Sequence, residues 1–128
     1  MRKTWFGWTL VAGGILAACN NPTGHGNGCA STGAVIVHAS DTKHFSPQTL
    51  TITHGQNVCW QNDGTLTHSI TPDGEIAADS TWAAYPEQAL EPGLPVLIQT
   101  FGATGDYYYH CKFHGGNQTG MYGVIQVR

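Results

Sequence analysis

Charge is scarce in this chain. Among 128 residues there are five Lys or Arg and eight Asp or Glu. So few cations cannot coat a phosphate backbone, which makes a nucleic-acid partner untenable. Methionine is scarcer still, with two in all, one of them the initiator. That argues against a methionine-rich metal-delivery site. No long hydrophobic run is present, since the apolar stretch from Trp5 to Ala18 is too short for a comfortable membrane span. No internal repeat is visible, and the length suits a single domain. What is abundant is glycine, with 17 residues against a charged fraction of 10%. This composition fits short strands joined by many turns more readily than helices.

The strand pattern follows from local chemistry. Ala34 to Val37 is an apolar run with β-branched content and reads as a first strand. From Leu50 to His54 the residues alternate, with Leu50 and Ile52 on one face and Thr49, Thr51 and Thr53 on the other. Gly55-Gln56-Asn57 turns the chain into a strand over Val58 to Asn62, and Asn62-Asp63-Gly64 is a strong turn signal. Thr67 to Thr71, Val96 to Phe101, Asp106 to Cys111 and Tyr122 to Val127 complete the set. Thr71 to Pro95 holds four of the six prolines and reads as a long loop with little regular structure. About seven to eight short strands separated by turns predict an all-β, antiparallel Greek-key sandwich.

The chemistry concentrates near the C-terminus. Tyr109-His110-Cys111-Lys112-Phe113-His114 supplies a thiol and an imidazole three residues apart, and Met121 follows a short loop later. These are soft or borderline ligands that suit copper far better than magnesium, calcium or manganese. Two His and one Cys with a weak axial Met make an electron-transfer copper set, and His68 is the candidate for the second imidazole. Side chains two apart on a strand share a face, so Tyr107, Tyr109 and Cys111 point one way and Tyr108 and His110 the other.

With these residues in place, the chain resembles the cupredoxins, the blue copper proteins of the plastocyanin, halocyanin and pseudoazurin kind. The likeness covers roughly residues 45 to 128. Phe45 to Ile52 followed by Gly55 to Asn62 resembles the family's central strand pair, and His68 falls at its first ligand position. The resemblance implies one copper bound by His68, Cys111 and His114, with Met121 axial. Six residues separate His114 from Met121, where plastocyanin-like loops usually have four, so Gln118 is the alternative axial ligand. Asn62 and Ser69 are candidates for hydrogen bonding near the thiolate and for holding the ligand loops.

The first 18 residues read as a secretory signal, with a basic start at Arg2 and Lys3. Leu16-Ala17-Ala18-Cys19 resembles a bacterial lipobox, which implies cleavage before Cys19 and lipid on its thiol. Residues 19 to 30 then form a lipidated flexible tether and residues 31 to 128 the copper domain. The expected location is the cell envelope, exported and anchored through lipid. Removing the signal leaves Lys43, Lys112 and Arg128 against eight acids, a net charge of −5, compatible with a basic redox partner. Export implies an oxidising compartment. With Cys19 lipidated, Cys29 and Cys59 form the expected disulfide, and Cys111 is left for the metal.

The expected function is one-electron transfer between redox partner proteins of a respiratory or related chain, without catalysis. Two alternatives remain: a copper carrier or store, or a single-domain copper oxidoreductase with a second copper at His110. A His-Cys dipeptide resembles the pair that links two copper sites in copper oxidoreductases, although His110 could instead be an exposed electron route. His25, His38, His44 and His54 carry no partner motif and read as solvated.

Overall fold

A computed structural model describes residues 28–76, 79–98 and 101–128. The signal segment, Cys19, His25 and nearly all of the tether lie outside the described residues. Nine strands are present among those described: β1 Val35–Ser40, β2 His44–Ser46, β3 Thr49–Ile52, β4 Val58–Asn62, β5 His68–Pro72, β6 Gln88–Leu90, β7 Val96–Ile98, β8 Gly105–Gly116 and β9 Thr119–Val127. They form a four-stranded sheet in the order β2-β1-β4-β7 and a five-stranded sheet in the order β3-β9-β8-β5-β6. The expected sandwich is therefore present, with two short strands, β2 and β6, in addition to the seven located from the sequence.

Two further expectations are corrected. The sheets are mixed, because β1 pairs with β4 and β3 pairs with β9 in parallel. The segments expected to form a central strand pair are not neighbours either: β3 is an edge strand of one sheet, and β4 lies inside the other. The chain changes sheets between Ser46 and Thr49, where Pro47 has no N–H to continue the β2 ladder. Its next strand then joins β9 instead of returning beside β1.

The stretch from Thr71 to Pro95 is also more ordered than its sequence suggests. It contains a 3₁₀ turn, Gly74–Ile76, a single-turn helix α1, Ser80–Ala83, and β6. Asp79 caps α1 by accepting from the Trp82 amide at 2.8 Å, which satisfies one of the otherwise unpaired N-terminal donors. Trp82 is 1% exposed, and its indole N–H donates to the Tyr108 carbonyl at 2.8 Å. This segment is held by a buried aromatic, not by any repeat of its own. No helix among the described residues is long and apolar enough to cross a membrane.

The strand alternation appears as expected. Leu50 and Ile52 turn toward the core while Thr49 and Thr51 are exposed. Tyr107, Tyr109 and Cys111 are completely buried, and Tyr108 and His110 face the other way. Tyr109 bridges the two sheets, with its ring edge-on to Trp60 at 5.3 Å and to Phe45 at 4.9 Å. Gly123 makes room for that ring, because a Cβ there would meet the Tyr109 hydroxyl at 2.4 Å. Burial pushes the Tyr109 phenol well above its ordinary range, so it stays neutral within the core. The structure also joins Cys29 to Cys59, with Cα atoms 5.6 Å apart, which ties the chain before β1 to β4.

Candidate metal centre

His68 meets a pair of residues more than 40 positions further along the chain, Cys111 and His114. His68 opens β5, in register with Leu90 of β6, and is fully buried. Cys111 lies on the inward face of β8, buried and unpaired. His114, three residues further along β8, is half-buried. The two imidazole Nδ1 atoms are 3.2 Å apart, and the Cys111 Sγ lies 3.8 Å from that of His68 and 3.5 Å from that of His114. They are the only group of three metal-ligating side chains among the described residues. Two imidazole nitrogens and one thiol converging on a point inside an apolar wall fit copper by donor type. The hard oxygen ligands that magnesium or calcium needs are absent from the set.

The position of His68 depends on the loop that precedes it. Asn62, at the end of β4, donates from Nδ2 to the carbonyls of Leu66 at 2.8 Å and Leu90 at 2.9 Å, while its Oδ1 accepts from the Gly64 amide at 2.9 Å. One buried amide thus holds the loop to β6. This is the loop-holding role expected of Asn62, whose hydrogen bonds go to the loop and to β6. The Ser69 Oγ accepts from the amide of Lys112 at 2.9 Å and so joins β5 to the residue after Cys111. Burial, above all, holds the His68 imidazole below its ordinary pKa, and neighbouring His114 adds to this. Asp41 and the Ser40 carbonyl act in the opposite direction. A low proton affinity keeps the ring neutral, the form that ligates metals.

The extra length between His114 and Met121 has a simple structural origin. Both were expected in a connecting loop, yet β8 continues to Gly116 and β9 begins at Thr119, so the spacing is taken up by a hairpin. Gly115 pairs with Gly120 and Gly116 with Thr119, and the β8–β9 register shifts between His110 and Gly115. A Cβ on Gly115 would lie 2.6 Å from the backbone of Met121, and Gly120 has φ +64. Glycine is therefore required where the two strands approach most closely. Gln118 occupies the exposed turn with φ 55. Met121 is 1% exposed and belongs to the same core cluster as Cys111.

The remaining histidines differ from their sequence reading in one instance. His38, His44 and His54 are exposed, although His38 does have a partner, Asp63, at 2.6 Å. His110 is not the exposed residue considered as an electron route: its side chain is only 15% exposed and its Nδ1 meets the carboxylate of Asp73, which is completely buried. It does not join the three-residue cluster, so a second copper there finds no further ligands among the described residues. Asp41 is the residue that no local signal singles out. It lies in an ordinary Asp-Thr-Lys turn, and its contacts are 24 and 25 residues away.

Comparison with known proteins agrees with this geometry. Residues 33–128 match the copper binding proteins of the plastocyanin/azurin family. Among solved structures, the chain is similar to the reduced state of an amicyanin variant, with 25% identity, a TM-score of 0.61, and coverage of 75% of this chain and 83% of that one. It is also similar to a purple cupredoxin from Nitrosopumilus maritimus, with 22% identity, a TM-score of 0.57, and coverage of 73% and 99%. The second likeness concerns the fold alone. With the family match spanning three quarters of the sequence and the donor set in place, copper is the metal of this site, and the chain belongs to the plastocyanin/azurin family of copper-binding proteins.

Proposed function

We propose that this protein is a one-electron carrier, not an enzyme. The observation that carries this reading is the donor set itself: two ligands fixed in buried strands and a third, His114, on the half-buried rim. When bound, copper supplies a centre that exchanges a single electron between its two oxidation states. The protein's part is to keep the donor atoms still. Cys111 and His68 are locked into β8 and β5, and Ser69 links those strands beside the thiol, so little nuclear motion accompanies electron exchange. His114 then offers the shortest covalent route from the centre to solvent. Phe113 and Leu66, both exposed apolar residues next to ligand-bearing segments, suit transient contact with a redox partner protein.

The test is a redox titration of the copper-loaded protein. The expected result is a reversible one-electron couple, with copper retained in both states. A copper store with a strong preference for one state would release metal on changing oxidation state, and that result would remove the carrier reading.

Met121 is the proposed axial ligand, supported by its burial in the Cys111 cluster and by the exposed position of Gln118. A thioether favours copper(I) and an amide oxygen favours copper(II). Met121→Gln therefore lowers the reduction potential and changes the visible spectrum, while Gln118→Ala leaves both near wild type. A silent Met121→Gln together with a raised potential in Gln118→Ala would transfer the role to Gln118.

Membrane attachment is proposed from the lipobox-like Leu16-Ala17-Ala18-Cys19. Two or three acyl chains on Cys19 make a stable anchor at about 0.8 kcal/mol per buried methylene. Wild type is expected in the detergent phase on phase separation, and Cys19→Ala in the aqueous phase. A wild-type protein recovered in the aqueous phase with a free amino terminus would contradict the anchor.

A further inference from the structure

Outside the donor set, the side chain with the most directed contacts near the site is Asp41, in the turn between β1 and β2. Its Oδ1 accepts from the amides of Thr65 at 2.8 Å and Leu66 at 3.0 Å, and its Oδ2 accepts from the Thr65 hydroxyl at 3.0 Å. The loop closes onto this carboxylate only because residue 64 is glycine, since a Cβ there would lie 2.1 Å from Asp41 Oδ1. The amides of Leu66 and then Thr65 hold the Asp41 carboxyl below its ordinary pKa, so it is anionic at neutral pH. Leu66 lies two residues before His68, so the carboxylate is seated beside the ligand-bearing segment.

We propose that Asp41 is a positioning residue with two separable roles. Its hydrogen bonds fix the loop that delivers His68, and its negative charge lowers the reduction potential of the copper centre. The second role rests on the electron-carrier reading. With a thiolate and two neutral imidazoles, the oxidised centre carries one net positive charge, and uptake of one electron leaves it neutral. A nearby fixed anion stabilises the charged, oxidised form more than the neutral, reduced one. Glu91 is the natural control. It grips the same loop through the Thr67 hydroxyl alone, at 2.8 Å, where Asp41 is fixed by three contacts.

The chemistry of asparagine separates the two roles. Both amide bonds end on Asp41 Oδ1, so Asp41→Asn can keep them, while its new NH₂ can donate to the Thr65 hydroxyl. The charge is lost and the geometry stays. Voltammetry on the copper-loaded protein should give a higher midpoint potential for Asp41→Asn than for wild type, with a smaller change for Glu91→Gln. Amide hydrogen exchange on the metal-free protein should leave Thr65 and Leu66 protected in Asp41→Asn and speed both roughly tenfold or more in Asp41→Ala, the scale of one lost hydrogen bond.

An unchanged or lowered potential in Asp41→Asn, or an equal shift in Glu91→Gln, overturns the charge role. Unchanged exchange in Asp41→Ala overturns the positioning role. A wild-type protein without a reversible couple overturns the carrier reading and the charge role together. The exchange measurement on metal-free protein still decides the positioning role in that event.

Discussion

Cys111→Ala abolishes the intense visible absorption of the copper(II)-loaded protein and weakens copper retention far more than any other single change. The band expected of wild type arises from charge transfer between thiolate and copper(II), and Cys111 is the only free cysteine among the described residues. The variant leaves two imidazoles, one of them half-buried, to hold the metal. Alanine fits the buried position without introducing a polar atom, so the fold should survive. Far-ultraviolet circular dichroism of the variant should match wild type and confirm that the loss is local. Should Cys111→Ala bind copper(II) as tightly as wild type, and the wild-type complex be colourless, the thiolate site would be refuted. Zinc is the rival occupant, because it accepts the same Cys and His ligands. It yields no visible band, has little use for a thioether and cannot carry an electron, so a zinc site would also leave Met121→Gln without spectral consequence.

Loss of the Cys29–Cys59 bond is the second large effect, this time on stability. The bridge closes a segment with a sequence separation of 30, and a chain-entropy estimate for a loop of that size is about 3–4 kcal/mol. For a single domain this is a large part of the total stability. Both sulfur atoms belong to residues that are 0% exposed, so the native bond resists reductant until the protein opens. The double variant Cys29→Ala/Cys59→Ala should unfold at a markedly lower denaturant concentration than wild type. Its copper band should be retained at low denaturant, because β4 contributes no ligand. Alkylation of both cysteines in the unreduced native protein, or an unfolding midpoint unaltered by the double substitution, would contradict this account.

Much of the site was legible because its signals are local. Cys111 and His114 are three residues apart, and the tyrosines before them alternate with a period of two, so the inward face of β8 follows from strand geometry alone. Val58–Asn62 emerged with the bounds expected of it, because turn residues flank it on both sides. The candidate ligand His68 stood out through its place, after the turn at Asn62-Asp63-Gly64, at the first ligand position of the family the chain resembles. The disulfide followed from the number of cysteines and their expected compartment, not from any geometric signal.

Other features required the folded chain. β6 is three residues long and pairs with β5, and Asn62 reaches the Leu90 carbonyl at its end. No periodicity fits into three residues, so that segment read as loop. Likewise, the hairpin at Gly115 to Gly120 read as an enlarged loop, because the pairing that zips it up depends on glycines that let two backbones touch. The contact of His110 with Asp73, 37 residues earlier in the chain, leaves no local signal, so the His-Cys dipeptide alone did not separate its alternatives.

By itself, then, the amino-acid sequence determined the ligand types, their order, the strand faces that turn Cys111 inward and the all-β class, because each depends on residue chemistry or on a repeat spanning a few residues. The tertiary structure alone decided which elements meet: the parallel pairing of β1 with β4 and of β3 with β9, the grip of Asp41 on the loop before His68, and the burial of Met121 while Gln118 stays outside. Those outcomes depend on contacts between residues tens of positions apart. Their energy comes from closing the two sheets over a shared core, and a local pattern carries no record of that closure.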